Sequence, residues 1–236
     1  MQATVTTISL IDLSFAFIPV IFVLYIFYRW QLNVTNASYA LLRMLIQLLL
    51  IGYFLTFIFE AQSAWIVGVV LLVMLLASSW IALGSVKKHR SKLYFFTLMA
   101  IFIGGGSSLL LMTQAVLNLN PWFHPQYMVP LAGMVFANAM NSVSLSAERL
   151  FAEQKNHEPY EKARNTAFKA SMIPIINSLF AVGLVSLPGM MTGQILSGID
   201  PFIAARYQIM IMVMIFSASG IASAYFLVQA KKIYNN

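Results

Sequence analysis

Seven long apolar runs, separated by short polar or charged stretches, account for nearly all of the chain. They cover about residues 8–30, 40–59, 64–83, 93–119, 127–147, 170–196 and 202–229. An apolar run of about 20 residues is long enough to cross a bilayer as a helix. The pattern therefore predicts an all-α polytopic membrane protein with about seven transmembrane helices. The longest hydrophilic interruption, residues 148–169, is predicted as a cytoplasmic segment of a single membrane domain spanning 1–236. The first run has Asp12 near its start and no basic region before it, so it is expected to be a retained anchor and not a cleaved signal. Asn33 to Asn36 is read as a polar turn. Asn33-Val34-Thr35 has the form of a glycosylation acceptor, but the charge pattern places it in the cytoplasm.

Charge fixes the expected orientation. With the N-terminus outside and the C-terminus inside, 13 of the 14 Lys and Arg residues fall on the cytoplasmic side. These are Arg29, Arg43, the cluster Lys87, Lys88, Arg90 and Lys92, then Arg149, Lys155, Lys162, Arg164, Lys169, Lys231 and Lys232. Arg206 alone lies near the outer face. Basic residues concentrate in short cytoplasmic loops, so the expected topology is N-out and C-in.

Composition strengthens this picture. The chain is 60% hydrophobic and 9% charged, with a mean hydropathy of +0.82; soluble domains carry about 25% charged residues. Its net charge of +7 does not point to nucleic acid, because the basic residues sit at the ends of apolar runs. The expected surroundings are membrane lipid. With no cysteine, disulfides and thiolate metal sites are excluded.

One stretch breaks the pattern. Residues 183–201, Gly-Leu-Val-Ser-Leu-Pro-Gly-Met-Met-Thr-Gly-Gln-Ile-Leu-Ser-Gly-Ile-Asp-Pro, begin apolar but carry two prolines and four glycines. Proline removes a backbone donor and clashes with the preceding turn, so Pro188-Gly189 is predicted to kink or unwind the sixth helix. Such a break survives in a membrane where the freed backbone groups are buried in protein or face a water-filled cavity. A translocation pathway is expected here.

The residues that carry chemistry are few. There is no phosphate loop ending in Gly-Lys-Ser or Gly-Lys-Thr, so this chain is not expected to hydrolyse nucleotide or to act as an enzyme. Gly104-Gly105-Gly106 reads as close helix packing. The three histidines lie in loops; His124 with Glu60 or Asp200 forms a weak candidate cation site, against the plainer reading of a solvated histidine. Met134, Asn138 and Asn141 share one helix face, which suits either interhelical hydrogen bonding or a pathway. Arg43 and Gln47 share a face of the second helix, and Gln47, lying deeper, is the candidate for an internal contact. Met190 and Met191 flank the expected break. Thioethers suit soft metals, but they also serve as flexible packing. In 148–169, Glu158 and Lys162 form an acid-to-base i, i+4 pair expected to support a short helix after Pro159, a place where a soluble partner could dock or simply a solvated loop.

The long stretch from Gly183 to Leu196, followed by Gly198, Asp200-Pro201 and Tyr207-Gln208, resembles the signature of the FetB-type permeases. Further matches are Arg43 with Gln47-Leu48 and Gly52, and Val129-Pro130-Leu131-Ala132-Gly133-Met134 followed by Asn138-Ala139-Met140. The resemblance runs from about Arg43 to Gln208. These permeases are membrane subunits of a two-component bacterial ABC exporter associated with iron efflux, with plant relatives linked to aluminium tolerance. The resemblance implies a permease for iron or a related metal ion in the bacterial plasma membrane. It would work as a homodimer with a separately encoded cytoplasmic ATPase, which would hold the ATP and Mg2+. Alternating access would then route cargo past Gln47, Met134, Asn138, Asn141, Pro188, Gly189, Met190, Met191, Thr192 and Gln194. Glu153, Pro159, Tyr160, Glu161 and Lys162 would couple to the ATPase. The sequence departs from the family here: the segment before the sixth helix usually contains an element resembling Glu…Leu-Gly-Ala-Thr, and after Glu153 this chain has a shortened stretch instead. A stand-alone secondary transporter or channel, and a membrane sensor or assembly protein, are the alternative expectations.

Overall fold

The computed structural model describes residues 8–60 and 63–234. Among them the structure is almost wholly helical, and the chain divides after Glu60 into two compact units.

The first unit holds α1 (Leu10–Phe15), α2 (Ile18–Arg29) and α3 (Val34–Glu60). Ser9 caps α1, its Oγ accepting from the Asp12 N–H at 3.1 Å. The first apolar run bends at Ala16 and Phe17 and restarts with a proline, Pro19, in the first turn of α2, where a missing N–H is harmless. The polar turn expected at 33–36 is instead a helix start. Asn33 Oδ1 accepts from the Asn36 N–H at 2.9 Å, so α3 begins six residues before its apolar run. No residue of α2 or α3 is buried.

The second unit contains α4 (Ala64–Ala82), α5 (Arg90–Ile101), α6 (Ser107–Leu111), α7 (Pro125–Lys155), α8 (Tyr160–Ala181), α9 (Gly189–Leu196) and α10 (Pro201–Tyr234). A short 3-10 turn, Lys87–His89, leads into α5. Two π-helical turns, Phe102–Gly106 and Met112–Val116, flank α6. The core forms where α7 and α10 pack together with α4 and α5, around Leu93, Ile101, Leu131, Val135, Met214 and Phe226, all 2% exposed or less.

The glycine triplet supplies the close approach. A Cβ on Gly104 would lie 2.6 Å from the Ala222 nitrogen and 2.7 Å from the Ala218 oxygen; one on Gly105 would lie 2.9 Å from the Phe136 ring. The backbone of the π-helical turn thus rests directly on α10, which small residues alone permit.

Six helical stretches among the described residues are long and apolar enough to cross a membrane: 11–29, 34–60, 64–82, 87–116, 125–155 and 201–234. The protein is a polytopic helical membrane protein. The sixth apolar run differs from a single predicted span, because it is divided into α8 and α9 by a non-helical stretch at 182–188.

Candidate functional site

The broken sixth run and the tip between α7 and α8 concentrate the unusual features of the second unit. Proline alone does not make the break. Pro174 sits inside α8 and Pro130 inside α7, and both helices continue through them. α8 ends at Ala181, the chain leaves through Val182 at ψ 130° and Gly183 at φ +84°, and only glycine adopts the latter without strain. Part of the freed backbone is bonded internally. The Ala181 oxygen accepts from the N–H groups of Leu184, Val185 and Ser186 at 3.2, 2.8 and 3.2 Å, and Gly183 N–H donates to the Ser186 oxygen at 3.0 Å. Pro188 caps α9 at φ −61°, ψ 145°, so Pro188-Gly189 restarts the helix, and the unwinding lies at 182–187.

Beside the break lies a cavity of about 330 Å3, walled by the end of α8, by Gly183, by Met191 of α9, and by Gln208, Met212 and Val213 of α10. Gln208 is 6% exposed. The sequence reading did not place it in the site; Gln208 figured there only in the Tyr207-Gln208 match. On α9, Thr192 Oγ1 donates to the Pro188 oxygen at 3.1 Å. Gln194 Oε1 is buried with no hydrogen-bond partner among the described residues. Met190 packs against the apolar core.

The tip is ordered by contacts distant in sequence. α7 runs eight residues past its apolar stretch to Lys155, helped by an Arg149–Glu153 ion pair at 2.5 Å. The turn at 156–159 then reverses the chain, with His157 at φ +58°. Glu158 accepts from Lys162 Nζ at 2.9 Å, the spacing expected from sequence, and this partner raises the pKa of the Lys162 ammonium. Three bonds tie the tip to the end of α10. Tyr234 Oη donates to the Glu158 oxygen at 2.6 Å, Tyr160 Oη donates to the Leu227 oxygen, and Gln154 Nε2 donates to the Tyr234 oxygen. The Tyr160 and Tyr234 rings meet edge-on at 5.2 Å, and Lys231 Nζ lies 5.7 Å from the Tyr160 ring centre. Burial raises the Tyr160 pKa, against the lowering influence of Arg164 and a backbone bond. His89, from the basic turn before α5, stacks on Phe151 at 4.6 Å. The basic groups of 87–92, 149–164 and 231–232 therefore gather at one end of this unit.

The residues singled out in the sequence are distributed as follows. Pro159, Glu161 and Lys162 are exposed on the tip, whereas Glu153 and Tyr160 turn inward, Glu153 to Arg149 and Tyr160 to α10. Met134 and Asn138 are half-buried and Asn141 is exposed; the Asn138 amide donates to the Met134 oxygen of its own helix at 2.8 Å, so it bonds within α7 and not across to another helix. Gln47 and Glu60 are exposed on α3. Asp200 caps α10, its Oδ1 accepting from Phe202 N–H at 2.9 Å. His124 precedes α7, its ring 5.4 Å from that of Tyr127 and its Nδ1 buried without a hydrogen-bond partner among the described residues. Among the described residues no three His, Cys, Asp or Glu side chains come together as a metal site.

The family described as Uncharacterised protein family (UPF0014) matches residues 10–163 and 154–234. The chain is 37% identical over 206 residues to UPF0014 membrane protein slr1647 of Synechocystis, covering 79% of each chain. It is 32% identical over 211 residues to the Escherichia coli protein named Probable iron export permease protein FetB, covering 82% of this chain and 80% of that one. It is 31% identical over 201 residues to Protein ALUMINUM SENSITIVE 3 of Arabidopsis thaliana, covering 78% and 72%. No solved structure matches. With family and relatives extending over most of its length, this multi-pass helical membrane protein belongs to the UPF0014 family.

Proposed function

We propose that the chain is the permease subunit of an ABC exporter for iron or a related metal ion, driven by a separately encoded cytoplasmic ATPase that binds ATP and Mg2+. The metal and the outward direction rest on the similarity to the iron export permease FetB. The observation that carries the coupling half is the tip. Its outer surface offers Pro159, Glu161 and Lys162, while its inner side is bonded through Tyr160, Glu158 and Gln154 to the end of α10. A partner pressing on this tip moves α8 and α10 together, and these two helices also wall the cavity at the break, at their other ends.

The chain acts as a homodimer in the bacterial plasma membrane, N-out and C-in, with the tip in the cytoplasm. Two exposed amides support the dimer: Asn141 on α7 and Asn177 on α8. Polar side chains at membrane depth turn toward protein or an aqueous path, not toward lipid. Alternating access follows if the 182–188 stretch flexes as the tip moves, opening the route past Met191, Thr192 and Gln194.

The test is co-purification of the tagged chain from its native membrane, comparing wild type with a Pro159→Ala/Glu161→Lys/Lys162→Glu variant. An ATP-binding subunit recovered with the wild type and lost with the variant is the expected result. No ATPase with either version contradicts the ABC reading and favours a stand-alone transporter.

A further inference from the structure

The cavity at the break has the size and the walls of a small-molecule pocket. Its volume of about 330 Å3 is far more than a bare ion occupies and lies at the lower end of the range for ligand pockets, about 300–1,000 Å3. Leu179, Val182, Met191 and Met212 make it apolar, and no charged side chain lines it. Gln208 is the exception: it is the polar side chain that lines the cavity, at 6% exposure. An apolar wall holding one such group is the arrangement that orients a largely apolar ligand through a single polar atom.

We infer that this cavity binds an uncharged organic ligand with an apolar body and one hydrogen-bonding group at Gln208. On the permease reading above, on which this step rests, the metal enters the cavity as a neutral chelate, its coordination sphere already filled, and not as a bare ion. A hard cation stripped of water needs oxygen ligands, usually carboxylates among them. The cavity offers an amide and thioethers, and no cluster of three acidic or imidazole groups exists among the described residues. The sequence of the remaining residues, 1–7, 61–62 and 235–236, contains no His, Cys, Asp or Glu. A chelate carries its own ligands and presents an oxygen that the Gln208 amide can bond, with an apolar rim against the cavity wall.

The test is equilibrium dialysis of the full chain in phosphatidylcholine nanodiscs. The three probes are zinc bis(maltolate), kept intact by excess maltol, then zinc ion alone and maltol alone. Saturable retention of the chelate, weakened at least tenfold by Gln208→Leu, with no saturable retention of zinc alone, is expected. If Gln208→Leu does not fold, Val182→Phe, which fills the cavity from the non-helical stretch opposite α10, is expected to abolish retention. Three results overturn the inference. One is zinc ion bound as tightly as the chelate, with that binding lost on Met191→Leu/Met212→Leu. Another is no saturable chelate binding. The last is chelate binding unchanged in a folded Gln208→Leu or Val182→Phe protein. The assay contains no ATPase, so its outcome is independent of whether ATP-coupled transport succeeds or fails.

Discussion

Tyr234, the last described residue of α10, donates a 2.6 Å hydrogen bond to the backbone oxygen of Glu158, 76 residues earlier in the turn between α7 and α8. The acceptor is a carbonyl in a reversing turn, so the bond fixes the turn itself and not a movable side chain. With Tyr160 bonded to Leu227 and Gln154 to Tyr234, the tip and the end of α10 form one mechanical piece.

Removing the hydroxyls tests that piece. Tyr160→Phe/Tyr234→Phe deletes two hydrogen bonds but keeps both rings, at a cost of about 1 kcal/mol each. The expected outcome is a lower thermal unfolding temperature in detergent, with the ATPase still co-purified but its turnover no longer stimulated by the permease. Full stimulation in the double variant would show that the tip signals by another route.

The same contact carries a pH dependence. Burial raises the Tyr160 pKa above its ordinary value of about 10, so the folded state favours the neutral phenol. The associated stability is fully present below that ordinary value and is lost as pH rises through the raised one. Thermal stability of the wild type is therefore expected to fall above about pH 10 more steeply than that of Tyr160→Phe. Parallel curves would contradict this.

At the crossing of the π-helical turn with α10, Gly104→Ala forces a Cβ to within 2.6 Å of the Ala222 nitrogen. Overpacking against backbone costs about 1–3 kcal/mol. Gly106→Ala meets nothing closer than the Phe102 ring at 3.7 Å and is expected to be tolerated. Unfolding temperatures of the two variants in the same detergent give the comparison.

The break offers a second pair. A side chain at Gly183 has open space around it, but the φ of +84° makes Gly183→Ala strained by about 1–2 kcal/mol. Gly189→Ala, also in open space and within the first turn of α9, is expected to be neutral or slightly stabilising. Transport that falls with Gly183→Ala and holds with Gly189→Ala would locate the flexing backbone at 182–187. The reverse would move it to Pro188-Gly189.

The helices were legible because each buries or spans with an apolar run of the right length, and the glycine triplet was legible because small residues mark a close approach. Helix ends were not. α7 continues to Lys155 on an ion pair and α3 begins on an Asn33 cap, neither of which has hydropathy. The sequence indicated a break in the sixth run but centred it on Pro188. Proline is comfortable at the start of a helix, and the positive φ at Gly183 depends on how α8 ends, which no local composition reveals. The resemblance implied a coupling role for Tyr160; its inward turn follows from α10, 67 residues away in its bond to Leu227. Gln208 entered the sequence reading only through the Tyr207-Gln208 match, and the cavity beside it becomes apparent once α8, α9 and α10 are assembled.

On the proposed function, this chain moves metal only when an ATPase drives it. The most direct measurement is metal accumulation in inside-out proteoliposomes containing the chain, with and without the co-purified ATP-binding subunit and with and without ATP and Mg2+. Accumulation that requires both the ATPase and ATP is the predicted result. Robust metal movement by the chain alone, unaffected by ATP, would contradict it.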